Sequence, residues 1–121
     1  MGSTWNRRVT ATADGLHLQV DEDTRDPNPP GRDDGPNDIT VKSSDRPAEI
    51  NYLANGVTLT DIEMKDGKHK PSHLKVKRVG NGLKLTDTGH SGSTYSYYLV
   101  GSYRSNSGIK TEDPQIHNVK D

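Results

Sequence analysis

The stretch Thr94-Tyr95-Ser96-Tyr97-Tyr98-Leu99-Val100-Gly101-Ser102-Tyr103 decides the fold class. Tyr95, Tyr97 and Leu99 fall on one face of an extended chain and Tyr98 and Val100 on the other, because side chains alternate along a strand. Aromatic and β-branched residues on both faces mark a central strand, covered on either side. Outward from it the same period recurs. Leu74 and Val76 alternate with Lys75 and Lys77, the turn Gly80-Asn81-Gly82 follows, and Leu83 and Leu85 resume the pattern, which reads as a hairpin.

Further upstream, Glu49 to Leu53 and Val57 to Met64 are strand-like and are joined by Asn55-Gly56. The apolar parity changes at Asp61, where a bulge or a break is expected. Val9, Ala11 and Ala13 alternate with threonines, and Leu16, Leu18 and Val20 follow Asp14-Gly15, so a hairpin with a two-residue turn is expected within residues 1–20. Downstream, Asn106-Ser107-Gly108 reads as a turn, Ile109 to Glu112 as a strand, and Pro114 to Val119 as a last strand that starts at, or lies along, an edge.

Eight or nine short strands with no helical period predict an all-β protein, specifically an Ig-like antiparallel β-sandwich. The length, 121 residues, allows one domain spanning 1–121. Its core must be modest: 27% of residues are apolar, about 37% with the twelve glycines, against roughly 45–50% in typical domains. With no Phe, Trp5 and five tyrosines are the large aromatics, so tyrosines fill much of the interior and their hydroxyls need partners. Tyr95 is placed as a corner tyrosine of the Ig-like kind.

Residues 21–38 contain no apolar side chain and separate the N-terminal hairpin from the rest as an acidic, Pro/Gly-rich loop or linker. Asp21, Asp23, Asp26, Asp33 and Asp34 are hard oxygen ligands, so a Ca²⁺ site is the one cofactor expectation with residues attached, although EF-hand spacing is missing. A solvated linker explains the same composition. Cysteine is absent, which excludes disulfides and thiolate chemistry. His69 and His73 have a helical metal-ligand spacing, but Pro71 lies between them, so they read as loop residues.

No Gly-x-Ser-x-Gly elbow is present and a chain of this size offers little material for a deep cleft, so an enzyme is not expected. Lys65, Lys68, Lys70, Lys75, Lys77, Arg78 and Lys84 form a basic run, in which Lys75 and Lys77 share one strand face and can meet an acidic partner, or guard a sheet edge. Nucleic acid is not expected at a net charge of -1. No apolar run is long enough to cross a bilayer, so no membrane association is expected. The compartment is cytoplasmic by default, or secreted if Met1-Gly2-Ser3 replaces a removed signal.

Tyr97 to Tyr103 and Gly108, followed by Glu112-Asp113-Pro114-Gln115-Ile116-His117-Asn118, resemble the ending of the small bacterial DP-EP family, in which a tyrosine-rich strand and a glycine turn lead to an Asp-Pro pair. The resemblance covers the last quarter of the chain and lacks a Glu-Pro pair. It implies a compact β-sandwich and no mechanism.

The leading functional expectation is a non-enzymatic module that binds a protein or a glycan, with Trp5 and Tyr103 as candidate stacking platforms. The alternative is a structural or assembly protein whose N-terminal hairpin docks on or exchanges with a neighbouring copy. A small metal-dependent enzyme ranks third.

Overall fold

The computed structural model describes residues 2–23, 25, 28–29, 34–89 and 92–120. Among these residues ten strands form: β1 (Thr4–Ala11), β2 (Leu18–Glu22), β3 (Asp38–Val41), β4 (Ala48–Ala54), β5 (Thr58–Met64), β6 (Leu74–Val79), β7 (Gly82–Asp87), β8 (Thr94–Tyr103), β9 (Asn106–Lys110) and β10 (Gln115–Asn118). A 3-10 turn, Ser43–Asp45, lies between β3 and β4. The protein is all-β. One sheet has the order β2-β1-β4-β7-β6, the other β3-β10-β8-β5 with β9 also on β8, and neither path closes into a barrel.

Both sheets are mixed, which corrects the antiparallel expectation. β1 runs parallel to β4, with Trp5 beside Ile50 and Arg7 beside Tyr52, and β3 runs parallel to β10, with Ile39 beside Ile116. Parallel neighbours cannot be joined by a tight hairpin, so turn chemistry marks neither pair. Asn55-Gly56 is therefore a passage between sheets, from β4 in one to β5 in the other.

β8 is central, flanked by β5 on one side and by β10 and then β9 on the other. Tyr95, Tyr97, Leu99 and Gly101 are its buried positions. The parity change near Asp61 is a bulge, where the β5–β8 register shifts between Leu59 and Asp61. β6 and β7 form the expected hairpin around Gly80-Asn81.

The β1–β2 hairpin exists, but its connection is longer than the expected two-residue turn. Thr12 N–H donates to His17 O (2.9 Å), the Thr12 hydroxyl donates to Asp14 Oδ1 (2.6 Å), and Asp14 Oδ1 also accepts Leu16 N–H (3.0 Å). The short polar side chains build a six-residue loop in which Gly15 takes φ 71°, and Leu16 is left exposed. β1 then sits inside its sheet, between β2 and β4, so the hairpin is built into the core and is no appendage.

Two further expectations change. The turn before β9 is Arg104-Ser105, with Arg104 at φ 55°; Asn106 to Gly108 belong to β9, and the register on β8 shifts between Gly101 and Ser102. β10 starts just after Pro114, yet it is interior, because β3 covers its far side. Pro114 still contributes an acceptor: its carbonyl takes Tyr97 N–H (3.1 Å).

The two sheets enclose one apolar cluster to which nearly every strand contributes, from Trp5 and Val9 on β1 to Leu99 on β8 and Ile116 on β10. Polar groups enter it as well. Arg7, 1% exposed, lies between Trp5 and Val9 on the inward face of β1. Its Nε donates to Pro36 O (3.0 Å), Nη1 to Asn6 O (3.1 Å) and Nη2 to Gly35 O (3.5 Å), which fastens the approach to β3 onto β1. Burial lowers the Arg7 pKa, and the nearby tyrosines, Glu22 and Asp34 oppose that shift.

Candidate functional site

At one end of the two layers, the connection from β5 to β6 arches over the start of β8 and leaves a cleft of about 470 Å³. Lys65, Lys68 and His69 stand on its rim with Asp66, and Tyr95 is part of its floor. Asp66-Gly67 opens the arch: Gly67 N–H bonds Met64 O (3.0 Å) and Asp66 Oδ1 accepts Lys68 N–H (2.9 Å), so the loop turns back with its lysines outward. Lys70 closes it by reaching Asp61 (2.9 Å).

Lys65 has two partners. Its ammonium bonds Asp113 Oδ1 (3.0 Å) and lies 5.3 Å from the centre of the Tyr98 ring. Lys110 approaches the same ring (5.7 Å) while paired with Glu63 (3.0 Å). Tyr98 is thus a half-buried aromatic on the outer face of β8 held between two ammonium groups. Among the described residues no carboxylate pairs with Lys68 or His69.

Tyr95 points its hydroxyl away from the cleft, toward a buried polar knot at the same end. A Cβ on Gly89 would stand 2.6 Å from the Tyr95 hydroxyl, 2.9 Å from Asp87 Oδ1 and 3.3 Å from Asn118 Nδ2. Asp87 Oδ1 accepts Gly89 N–H (2.7 Å), and Asn118 Oδ1 accepts Arg46 Nε (3.1 Å). Burial first, and then the Asp87 carboxylate, push the Tyr95 pKa up. The hydroxyl stays protonated and positions the ring.

The residues singled out from sequence fall apart in space. Trp5 is 0% exposed, so it cannot serve as a surface platform; with no Phe available, the largest side chain goes to the core. Tyr103 is half-buried at the opposite end, packed against Gly15 and capped by the Arg104 guanidinium 4.9 Å above its ring. Lys75 and Lys77 are exposed on the outward face of β6, a sheet edge.

Of the acidic set, Asp26 and Asp33 lie outside the described residues. Asp23 is bonded by Arg25 (3.2 Å), and Arg25 holds its carboxyl below the usual range. Asp34 accepts Thr40 N–H (3.2 Å), and Asp21 is on β2. Among the described residues no three His, Asp or Glu side chains gather as a metal cage. His69 and His73 are on a non-helical loop, as Pro71 requires.

Tyr95 and Tyr98 are the site residues that sequence reasoning assigned elsewhere. Alternation identifies them as strand residues of opposite parity, but which of two faces meets a loop depends on the fold. Among the described residues no helix is long and apolar enough to cross a membrane. Compared with known proteins, the chain matches no family model and no curated protein.

Proposed function

We propose that this chain is a non-enzymatic, Ig-like binding module, and that the cleft between the β5–β6 connection and β8 receives anionic groups of a protein or glycan partner. The observation that carries this is the set of Lys65, Lys68 and His69 around the cleft with the largely buried Tyr95 ring in its floor, while Tyr98, on the opposite face of β8 and outside the cleft, lies between Lys65 and Lys110. Ammonium groups meet carboxylate or sulfate, while tyrosine faces meet sugar rings or aliphatic stems.

Kinship with the DP-EP family remains part of the proposal, carried by the residues from Tyr97 to Asn118.

The test is a titration with a uronic-acid or sulfated oligosaccharide and, separately, with an acidic peptide, followed by amide NMR shifts at low and high salt. Saturable shifts over residues 64–71 and 94–96, weakened by salt and by Lys68→Glu, are expected, and the ligand that produces them fixes the partner class. Absence of shifts there with both ligands at low salt overturns the reading.

A further inference from the structure

Among the described residues, the first sheet, β2-β1-β4-β7-β6, has two edge strands with no partner on their outer side, and they differ in charge. β6, Leu74-Lys75-Val76-Lys77-Arg78-Val79, has three cationic residues and no acid; β2, Leu18-Gln19-Val20-Asp21-Glu22, has two acids and no cation. Both strands pair without register shifts on their one covered side. The edge strands of the second sheet are blunted, since β3 is four residues long, β5 carries a bulge and β9 pairs with β8 through a register shift.

We propose that copies of this chain associate head to tail, the β6 edge of one copy pairing antiparallel with the β2 edge of the next. The strand directions permit it. β1 and β4 are parallel and β2, β7 and β6 alternate around them, so β6 runs opposite to β2 and a copy displaced sideways brings the two together antiparallel.

The hydrogen-bond phase also agrees. Thr12 N–H bonds His17 O, so by antiparallel alternation Gln19 and Asp21 bond to β1, while the amides and carbonyls of Val20 and its alternate neighbours Leu18 and Glu22 face the free side. Thr88 N–H bonds His73 O, so Lys75 and Lys77 bond to β7 and Val76 and Arg78 face outward. Val20 opposite Val76 is then a bonded pair, and both side chains point to the interior face. That register sets Asp21 against Lys75 and Gln19 against Lys77 on the outer face.

Two more observations fit. A groove of about 280 Å³ runs along Leu18, Gln19 and Val20, with Asn37, Thr111 and Glu112 on its far wall, so β2 is not packed directly against that segment there. The same register brings Val79 of one copy to the end of β2 where Leu16 of the next protrudes, and these side chains are each 55% exposed. The edge lysines oppose β6–β6 pairing and the acids oppose β2–β2 pairing, so the charges that guard each edge against itself select the other. A head-to-tail contact of this kind does not stop at two copies unless it closes a ring.

The test uses sedimentation velocity of the full chain over a wide concentration range at low and high salt. A series of species growing with concentration and shrinking with salt is expected. Lys75→Glu/Lys77→Glu and, separately, Asp21→Lys/Glu22→Lys should each weaken association about tenfold or more. Mixing the two variants should restore it, because each supplies the edge that the other needs. Val76→Pro removes an outward-facing N–H without touching the ladder to β7 and should give a monomer with an unchanged circular dichroism spectrum. A wild-type chain that stays monomeric at low salt, a closed dimer indifferent to the charge reversals, or no recovery on mixing overturns the proposal.

Discussion

The hydroxyls of Tyr52 on β4 and Tyr97 on β8 meet at 2.7 Å in the middle of the core, the one from the first sheet and the other from the second. Their rings pack edge to face, with centroids 6.5 Å apart and planes at 80°. Both residues are almost fully buried, so each hydroxyl depends on the other in place of water. A chain without Phe thus pairs these two buried hydroxyls with each other across the layers.

Removing one hydroxyl strands the other. Tyr97→Phe and Tyr52→Phe are each expected to cost about 1–3 kcal/mol, because the remaining hydroxyl is desolvated and unpaired. The double variant is expected to cost less than the two single losses together, since no orphan is left. Urea unfolding of the four proteins in the cycle measures this; additive losses contradict it.

The same pair makes stability sensitive to alkali. Burial raises the pKa of Tyr52 and of Tyr97 above the ordinary phenol value, and the neighbouring Tyr52 adds to the shift at Tyr97. A folded-state pKa above the unfolded one means that the folded chain holds these protons more tightly. The contribution is complete below the unfolded value of about 10 and declines as pH rises from there toward the folded values. In a pH titration followed by tyrosinate absorbance, Tyr52 and Tyr97 are expected to ionise with unfolding, and Tyr52→Phe/Tyr97→Phe should show a flatter alkaline loss of stability.

Strand positions were legible in the sequence because alternation and turn residues are local signals. Partners were not, since β1 meets β4 and β3 meets β10 through parallel ladders that no turn announces. The buried polar residues were hidden by their type, although their parity gives them away: Arg7 lies two residues from both Trp5 and Val9, Asp87 two after Leu85, and Asn118 two after Ile116. Each continues an inward row, which polarity alone would have assigned to solvent. The basic run was visible, but which of its lysines face a tyrosine depends on how β5 and β6, in different sheets, are connected.

Arg7 illustrates what such a residue does. Arg7→Met keeps a long stem in the core but removes the donors to Pro36 and Gly35. The expected loss is about 1–3 kcal/mol, with faster amide exchange and protease cleavage concentrated at residues 34–40. Arg7→Lys should not restore protection, because one ammonium cannot span acceptors that the planar guanidinium reaches together. Exchange accelerated evenly over the whole chain would contradict a local fastening.

Backbone proximity at the centre of the second sheet gives the last prediction. Gly101 faces inward on β8 where β5 passes, and a Cβ there would stand 2.3 Å from the Thr58 carbonyl oxygen and 3.2 Å from Leu59 Cα. Both are backbone atoms of a paired strand, so relief requires moving β5 and its ladder, not turning a side chain. Gly101→Ala is therefore expected to destabilise by about 1–3 kcal/mol or more. Gly35→Ala provides the contrast: among the described residues nothing lies within 4 Å of its Cβ position, and a smaller unfolded-state entropy makes it neutral or slightly stabilising. Denaturant midpoints of the two variants decide the matter, since equal shifts would mean that the close approach of β5 to β8 is not what Gly101 is there to allow.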